Sequence, residues 1–168
     1  REQKVKNGSI QLSFELLVPD VPFLITTARA LQNSWESIGA KVTVAVASPG
    51  DEVESSIKNR NYQAVLFGNS VRKNGDLFSF WHSSERFYPG LNLALYNNKT
   101  ADRIIEDIRQ NFALEERQAQ LETLQEVITE DVPALFLYSP HYLYVTDKET
   151  QGISPRFLQD AADRFSNV

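Results

Sequence analysis

A chain of 168 residues suffices for one domain, or for one lobe of something larger, and can bury roughly 70% of its unfolded surface. Its 42% hydrophobic and 23% charged residues exclude a disordered chain. Its net charge of −5 carries no dense run of one sign, which excludes a nucleic-acid binder built on a basic face.

No cysteine is present, so disulfides and thiolate chemistry are excluded, and no apolar run approaches the ~20 residues of a membrane span. The chain starts at Arg1 and lacks methionine, which reads as a processed chain or an excised fragment. The lack of a visible signal peptide therefore says nothing about export.

Ile10, Leu12, Phe14 and Leu16 alternate with Gln11, Ser13 and Glu15, which predicts a strand from Ile10 to Leu17 with one polar face. Pro19-Asp20-Val21-Pro22 breaks it, and Pro22 suits the first turn of a helix over about Phe23 to Ile38. In that helix Ala28, Leu31, Trp35 and Ile38 recur at helical spacing, and Gly39 follows where a left-handed cap is needed. Val42, Val44 and Val46 then alternate in a second strand, Lys41 to Ala47. A helix returning directly into a strand is half of an α/β unit.

Asp51 to Asn59 reads as a short helix with acidic residues in its first turn, and Tyr62 to Gly68 as a buried strand. Asn69 to Asp76 is a loop, and Leu77, Phe78, Phe80 and Trp81 form a helical turn with an inward aromatic face. Ser83 to Asn98 is irregular, with a turn at Pro89-Gly90. Thr100 reads as the N-cap of a helix striped by Ile104, Ile105, Ile108 and Phe112. Leu114 begins another, striped by Leu121, Leu124, Val127 and Ile128 and ended by Asp131-Val132-Pro133. Ala134 to Tyr138 and Tyr142 to Thr146 read as hairpin strands joined by Ser139-Pro140-His141, and Phe157 to Phe165 as a short helix. The expected class is α/β, a mixed β-sheet flanked by helices.

Catalytic and metal motifs are missing. His82 and His141 lack the neighbouring ligands of a zinc site, and a structural or solvated role is favoured for each. Ser70 follows Gly68-Asn69 after a strand, but no second glycine makes a nucleophile elbow. Neither a phosphate loop nor a dinucleotide fingerprint occurs. The pairs Glu115-Glu116 and Glu130-Asp131 read as surface charge.

In open α/β sheets ligands lie beyond the carboxyl ends of strands. The third strand delivers Gly68, Asn69, Ser70, Val71, Arg72, Lys73, Asn74 and Asp76 there, with Phe78, Phe80 and Trp81 behind. A polar loop backed by aromatics fits a small-molecule or peptide site, and a plain surface loop over an aromatic anchor is the competing reading.

Several segments, in order, resemble the second large lobe of extracellular solute-binding proteins of the family 5 type, the dipeptide/oligopeptide-binding class serving ABC importers. Ile10 to Leu17 is similar to the family's lobe-entering strand. Ala28-Arg29-Ala30-Leu31-Gln32 with Ser37-Ile38-Gly39-Ala40-Lys41-Val42 resembles its "A..LQ..L..IGI.V" segment, and Asn61 to Gly68 its "DYDA...GW" strand. Tyr96 to Ile105 resembles "Y.NP.VD.LI", and Glu115 to Tyr138 resembles "D.EER..LY.EIQ.II.ED.P.IPLY".

The resemblance implies one lobe, residues 1–168, of a two-lobed periplasmic-binding-protein (Venus-flytrap) fold, with residues 153–168 returning toward the missing first lobe. It implies solute capture without chemistry or cofactor, in the periplasm or outside the cell, free or anchored as a lipoprotein, by a monomer that docks on a membrane permease. The solute is a peptide, or a sugar, opine or metal chelate, held by Gly68, Asn69, Ser70, Val71, Arg72, Asp76 and Trp81. Asn69 stands where the family's tryptophan is expected, and Arg72 falls near the place of the aspartate that meets a peptide's amino terminus. A cationic Arg72 repels an ammonium and pairs instead with a carboxylate or phosphate. The alternative is the same fold as the ligand sensor of a transcriptional regulator, marked by an upstream helix-turn-helix. A small α/β hydrolase or transferase is disfavoured by the missing motifs.

Overall fold

The computed structural model describes residues 2–5, 8–48, 50–69, 71, 76–140, 145 and 147, with backbone alone for residues 2–5, 8–10 and 51. Strands β1 (Glu2–Val5) and β2 (Gly8–Gln11) form an antiparallel ribbon. Strand β3 (Ser13–Pro19) is the centre of a separate parallel sheet, flanked by β4 (Lys41–Ala47) and β5 (Ala64–Val65) in the order β4-β3-β5. The single strand expected from Ile10 to Leu17 is thus divided at Leu12. Ile10 pairs with Gln3 whereas Ser13 pairs with Lys41, so the ladder changes partner between them.

The expected polar face also stops short. Leu16, Leu17 and Val18 are all buried, because a central parallel strand is covered on both faces. The crossover from β3 to β4 and the one from β4 back past β3 to β5 run in opposite directions, so the right-handed rule sets their helices on opposite sides of the sheet.

Helix α1 (Pro22–Ser37) opens on the proline, whose missing N–H leaves nothing unpaired there. Its Leu24, Ile25, Ala28, Leu31 and Trp35 pack on Leu16, Val18 and Val42, and Trp35 meets Phe14 edge-on at 5.2 Å. Gly39 has φ 92°, its N–H bonds Glu36 O, and Ala40 N–H bonds Trp35 O, which is a Schellman cap. The chain then turns straight into β4. Helix α2 (Asp51–Asn59) follows and ends at Arg60, held at φ 54°. The strand expected from Tyr62 to Gly68 makes a ladder only at Ala64–Val65, continued by Leu66 N–H to Leu17 O at 2.9 Å. Among the described residues it has a partner on one side alone, and Phe67 is exposed.

A second core lies around α3 (Phe78–Trp81), α4 (Lys99–Gln110) and α5 (Leu114–Asp131). Tyr96, Ala101, Ile105, Ile108, Leu124 and Ile128 are its buried members, with Leu77, Phe78 and Trp81 packed against them. The helical stripes are as expected except at Phe112 and Ile38, which are 95% and 62% exposed because α4 and α1 stop before them. The N-cap of α4 is Asn98, not Thr100: its Oδ1 accepts the N–H groups of Thr100 at 2.8 Å and Ala101 at 3.2 Å. An extended residue just ahead of the first turn is where a side chain reaches those donors, and Thr100 already lies inside the helix.

Beyond α5, Ala134 to Tyr138 forms no ladder with any described residue, and the partner expected for its hairpin lies almost wholly outside those residues. Side chains anchor the segment, Phe136 against Trp81 at 5.7 Å and Tyr138 Oη to Thr27 Oγ1 at 2.8 Å. The second hairpin strand, Tyr142 to Thr146, lies almost wholly outside the described residues, as do His141 and the tail helix from Phe157.

Candidate functional site

Three parallel strands deliver their carboxyl ends to one edge, at Pro19, Ala47 and Val65. The connection to β4 leaves β3 at that edge, and the chain leaves β5 at the same edge, where ligands of open α/β sheets lie. Gly68 and Asn69 stand exposed at that edge, directly past β5. No atom lies within 4 Å of where a Cβ on Gly68 would sit, so the backbone is open to approach. Val71 is also exposed, whereas Ser70 and Arg72 lie outside the described residues.

Asp76 and Trp81 are placed differently, against the second core. Asp76 Oδ1 accepts the Phe78 N–H at 3.1 Å, and Oδ2 lies 3.5 Å from Arg109 Nη2 on α4. The Trp81 ring meets Tyr96 edge-on at 6.1 Å. The structure therefore brings Gly68, Asn69 and Val71 to the strand-end loop, while Asp76 and Trp81 root its far end in the helical core.

A second polar cluster fills an open depression lined by His82, Ser83, Ser84, Arg86, Lys99, Asp102, Arg103 and Glu106. His82 is buried, as the sequence reading of a structural role expected, and caps the 3₁₀ turn Ser83–Glu85 by accepting the Ser84 N–H at Nδ1. Nδ1 is therefore the acceptor nitrogen, and Nε2–H donates to Glu106 at 3.1 Å. Ser84 Oγ lies 2.8 Å from Nδ1 and Glu106 lies on the other ring nitrogen, a serine–histidine–carboxylate line. The capping turn accounts for it: a residue that accepts the N–H two positions on also draws that residue's hydroxyl close. The same Nδ1 lone pair already serves the backbone, and buried Ser83 donates its hydroxyl to Asp102 Oδ2 at 2.6 Å instead of to the histidine. Among the described residues no group of histidine, aspartate and glutamate could hold a metal ion.

Asp102 was missed from the sequence because nothing local distinguishes it from the acids around it. Burial pushes its carboxyl up. The Ser83 hydroxyl and amide, with His82 and Lys99, outweigh that and hold it below its ordinary value. Asp131, read from the sequence as surface charge, is exposed but accepts Tyr96 Oη–H and Asn98 Nδ2–H, both at 2.6 Å. Those bonds lower its pKa, while burial foremost raises that of Tyr96. Both carboxylates titrate lower in the folded chain, so their stabilisation is complete above the unfolded value near 3.8 and is lost as pH falls through the folded values. Denaturant unfolding across pH 5 to 2 should show stability falling with pH, and Asp102→Asn should flatten that dependence. An identical pH profile for the variant would remove Asp102 as a source.

No family model matches the chain. It is 28% identical over 126 residues to the oligopeptide-binding protein AppA of Bacillus subtilis, a match covering 74% of this chain and 23% of the relative. The AppA structure, in complex with a nonapeptide, superposes with a TM-score of 0.68 at 22% identity, covering 77% of this chain and 26% of that one. NikZ of Campylobacter jejuni in complex with Ni(L-His) gives 0.65 at 23% identity, covering 79% and 28%. A nickel ABC transporter structure from Bacillus halodurans gives 0.62 at 19%, covering 77% and 28%. The chain spans about a quarter of the length of these relatives. The fold is that of one part of such binding proteins, as the sequence resemblance implied.

Proposed function

We propose that this chain is the second large lobe of an ABC-importer solute-binding protein of the family 5 type, and that it captures a small solute without altering any bond. The supporting observation is the exposed strand-end edge at Gly68 and Asn69, at the carboxyl ends of a parallel sheet, in a chain similar over 126 residues to an oligopeptide-binding protein. A companion lobe closes over that edge, and the difference in affinity between open and closed forms sets how far the solute shifts the population. The closed form presents itself to a membrane permease, which places the working protein in the periplasm or outside the cell. In this reading residues 1–168 are one lobe, the tail from 153 returns to the companion, and the protein acts as a monomer.

Gly68, Asn69, Ser70, Val71 and Arg72 are the proposed contacts, with Asp76 and Trp81 behind them. AppA was solved with a nonapeptide and NikZ with a nickel–histidine complex, so both solute classes are open to this fold. Arg72 favours a solute that offers a carboxylate or phosphate at the loop.

Mass spectrometry of small molecules co-purifying with the intact, two-lobed protein tests the reading. A bound peptide or chelate carrying an anionic group is the expected result. Arg72→Ala should then weaken binding by about 1–3 kcal/mol. An unchanged affinity retires that role, and submicromolar binding by the isolated lobe contradicts capture between two lobes.

A further inference from the structure

We infer that Arg109 is a positioning residue for the strand-end loop: it holds Asp76 and, through Phe78, ties the loop's downstream end to α4. This rests on the capture reading above. Arg109 lies in the last turn of α4, where a cation is favoured by the helix dipole. Its Nη2 is 3.5 Å from Asp76 Oδ2, and its Cζ lies 4.4 Å from the centroid of the Phe78 ring. The His82 imidazole stacks on that ring at 4.2 Å and 14°. Two groups that close cannot share one face, so the ring is sandwiched between them. His82 in turn donates to Glu106, also on α4, at 3.1 Å. Both slices of the sandwich are thus fixed by one helix.

Asp76 completes the device from the loop side, since its other oxygen accepts the Phe78 N–H as α3 begins. The upstream end of the loop is held by the bond from Leu66 N–H to Leu17 O. The described flanks of the connection, Leu66 on one side and Asp76 with Phe78 on the other, are therefore both held, and contacts carried on fixed flanks cost less to order on binding. In this arrangement Asp76 anchors the loop to α4.

Amide hydrogen exchange by NMR on this chain tests the latch directly. In Arg109→Ala and Asp76→Ala the Phe78 amide should exchange at least about tenfold faster, while Ile105 and Ile108 in α4 stay within about twofold of wild type. Arg109→Lys keeps the charge but loses the planar stack and should fall between. An unchanged Phe78 rate in Arg109→Ala overturns the latch. So does a rise matched at Ile105 and Ile108, which would mark a general stabiliser.

The second arm measures binding of a nonapeptide by the intact protein. Arg109→Ala should weaken it at least about fivefold with an unchanged melting temperature, and Arg109→Lys should restore part of the loss. Full affinity in Arg109→Ala overturns the positioning role. A wild-type protein that ignores the nonapeptide counts against the peptide reading, and the exchange rates then decide the latch by themselves.

Discussion

Replacing Asn92 with alanine is expected to lower the stability of the chain by about 3–4 kcal/mol, a loss at the upper end for one side chain. Asn92 is fully buried in the stretch between α3 and α4, where the backbone makes no ladder. Its amide group donates to His82 O at 3.1 Å and Tyr96 O at 3.0 Å, with Trp81 O further off at 3.4 Å. Its Oδ1 accepts the Tyr96 N–H at 3.0 Å. His82 O keeps the Glu85 N–H, but alanine takes the side-chain partner from both the Tyr96 N–H and the Tyr96 carbonyl, each costing about 1–3 kcal/mol, and opens a void beside Tyr96. Asn92→Asp keeps the shape but turns a carboxylate toward two carbonyl oxygens, and it should be no milder. Chemical denaturation followed by circular dichroism measures both. A loss under about 1 kcal/mol would show that water or a local shift replaces the missing bonds.

Asn92 also marks where reading the sequence stops working. Helices α1, α4 and α5 and strand β4 were legible because their apolar residues recur at the period of the element, and Gly39 because a Schellman cap needs a positive φ. The strand-end loop was legible as a place, since strands read in order imply where their ends diverge.

The polar contacts across long stretches of chain were not legible. Arg109 reaches Asp76, Asp131 reaches Tyr96 and Asn98, and Arg60 reaches Arg86 O and Gly90 O, all without any local period. Asn92 did leave a trace, an asparagine between two leucines in a segment with no periodicity. A polar residue in that setting is either exposed or bound to backbone, and the choice depends on packing that the pattern does not carry. Ala134 to Tyr138 shows the opposite side of this, since an apolar run looks like a strand but does not carry which edge it pairs with.

Gly90→Ala is the second large effect, with an expected loss of about 2–4 kcal/mol, against less than about 0.5 kcal/mol for Gly68→Ala. Neither glycine has a positive φ, so conformational preference does not separate them. Space does. A Cβ on Gly90 would sit 2.2 Å from Glu85 O and 2.5 Å from both Glu85 C and Cα, all backbone atoms that no rotamer change can move. They cannot retreat, because the turn is closed by Gly90 N–H to Phe87 O at 2.8 Å and Asn92 N–H to Glu85 O at 3.0 Å. Arg60 grips the same turn from α2, with Nη2 on Gly90 O at 2.7 Å and Nε on Arg86 O at 2.8 Å. Any shift that admits the methyl group must break at least one of these bonds and pull on Asn92. Gly90→Ala and Asn92→Ala therefore act on one unit, and their double variant should lose less than the sum of the two. Thermal or denaturant unfolding of the two single variants and the pair measures this, and strict additivity would mean that the turn and the buried asparagine are independent.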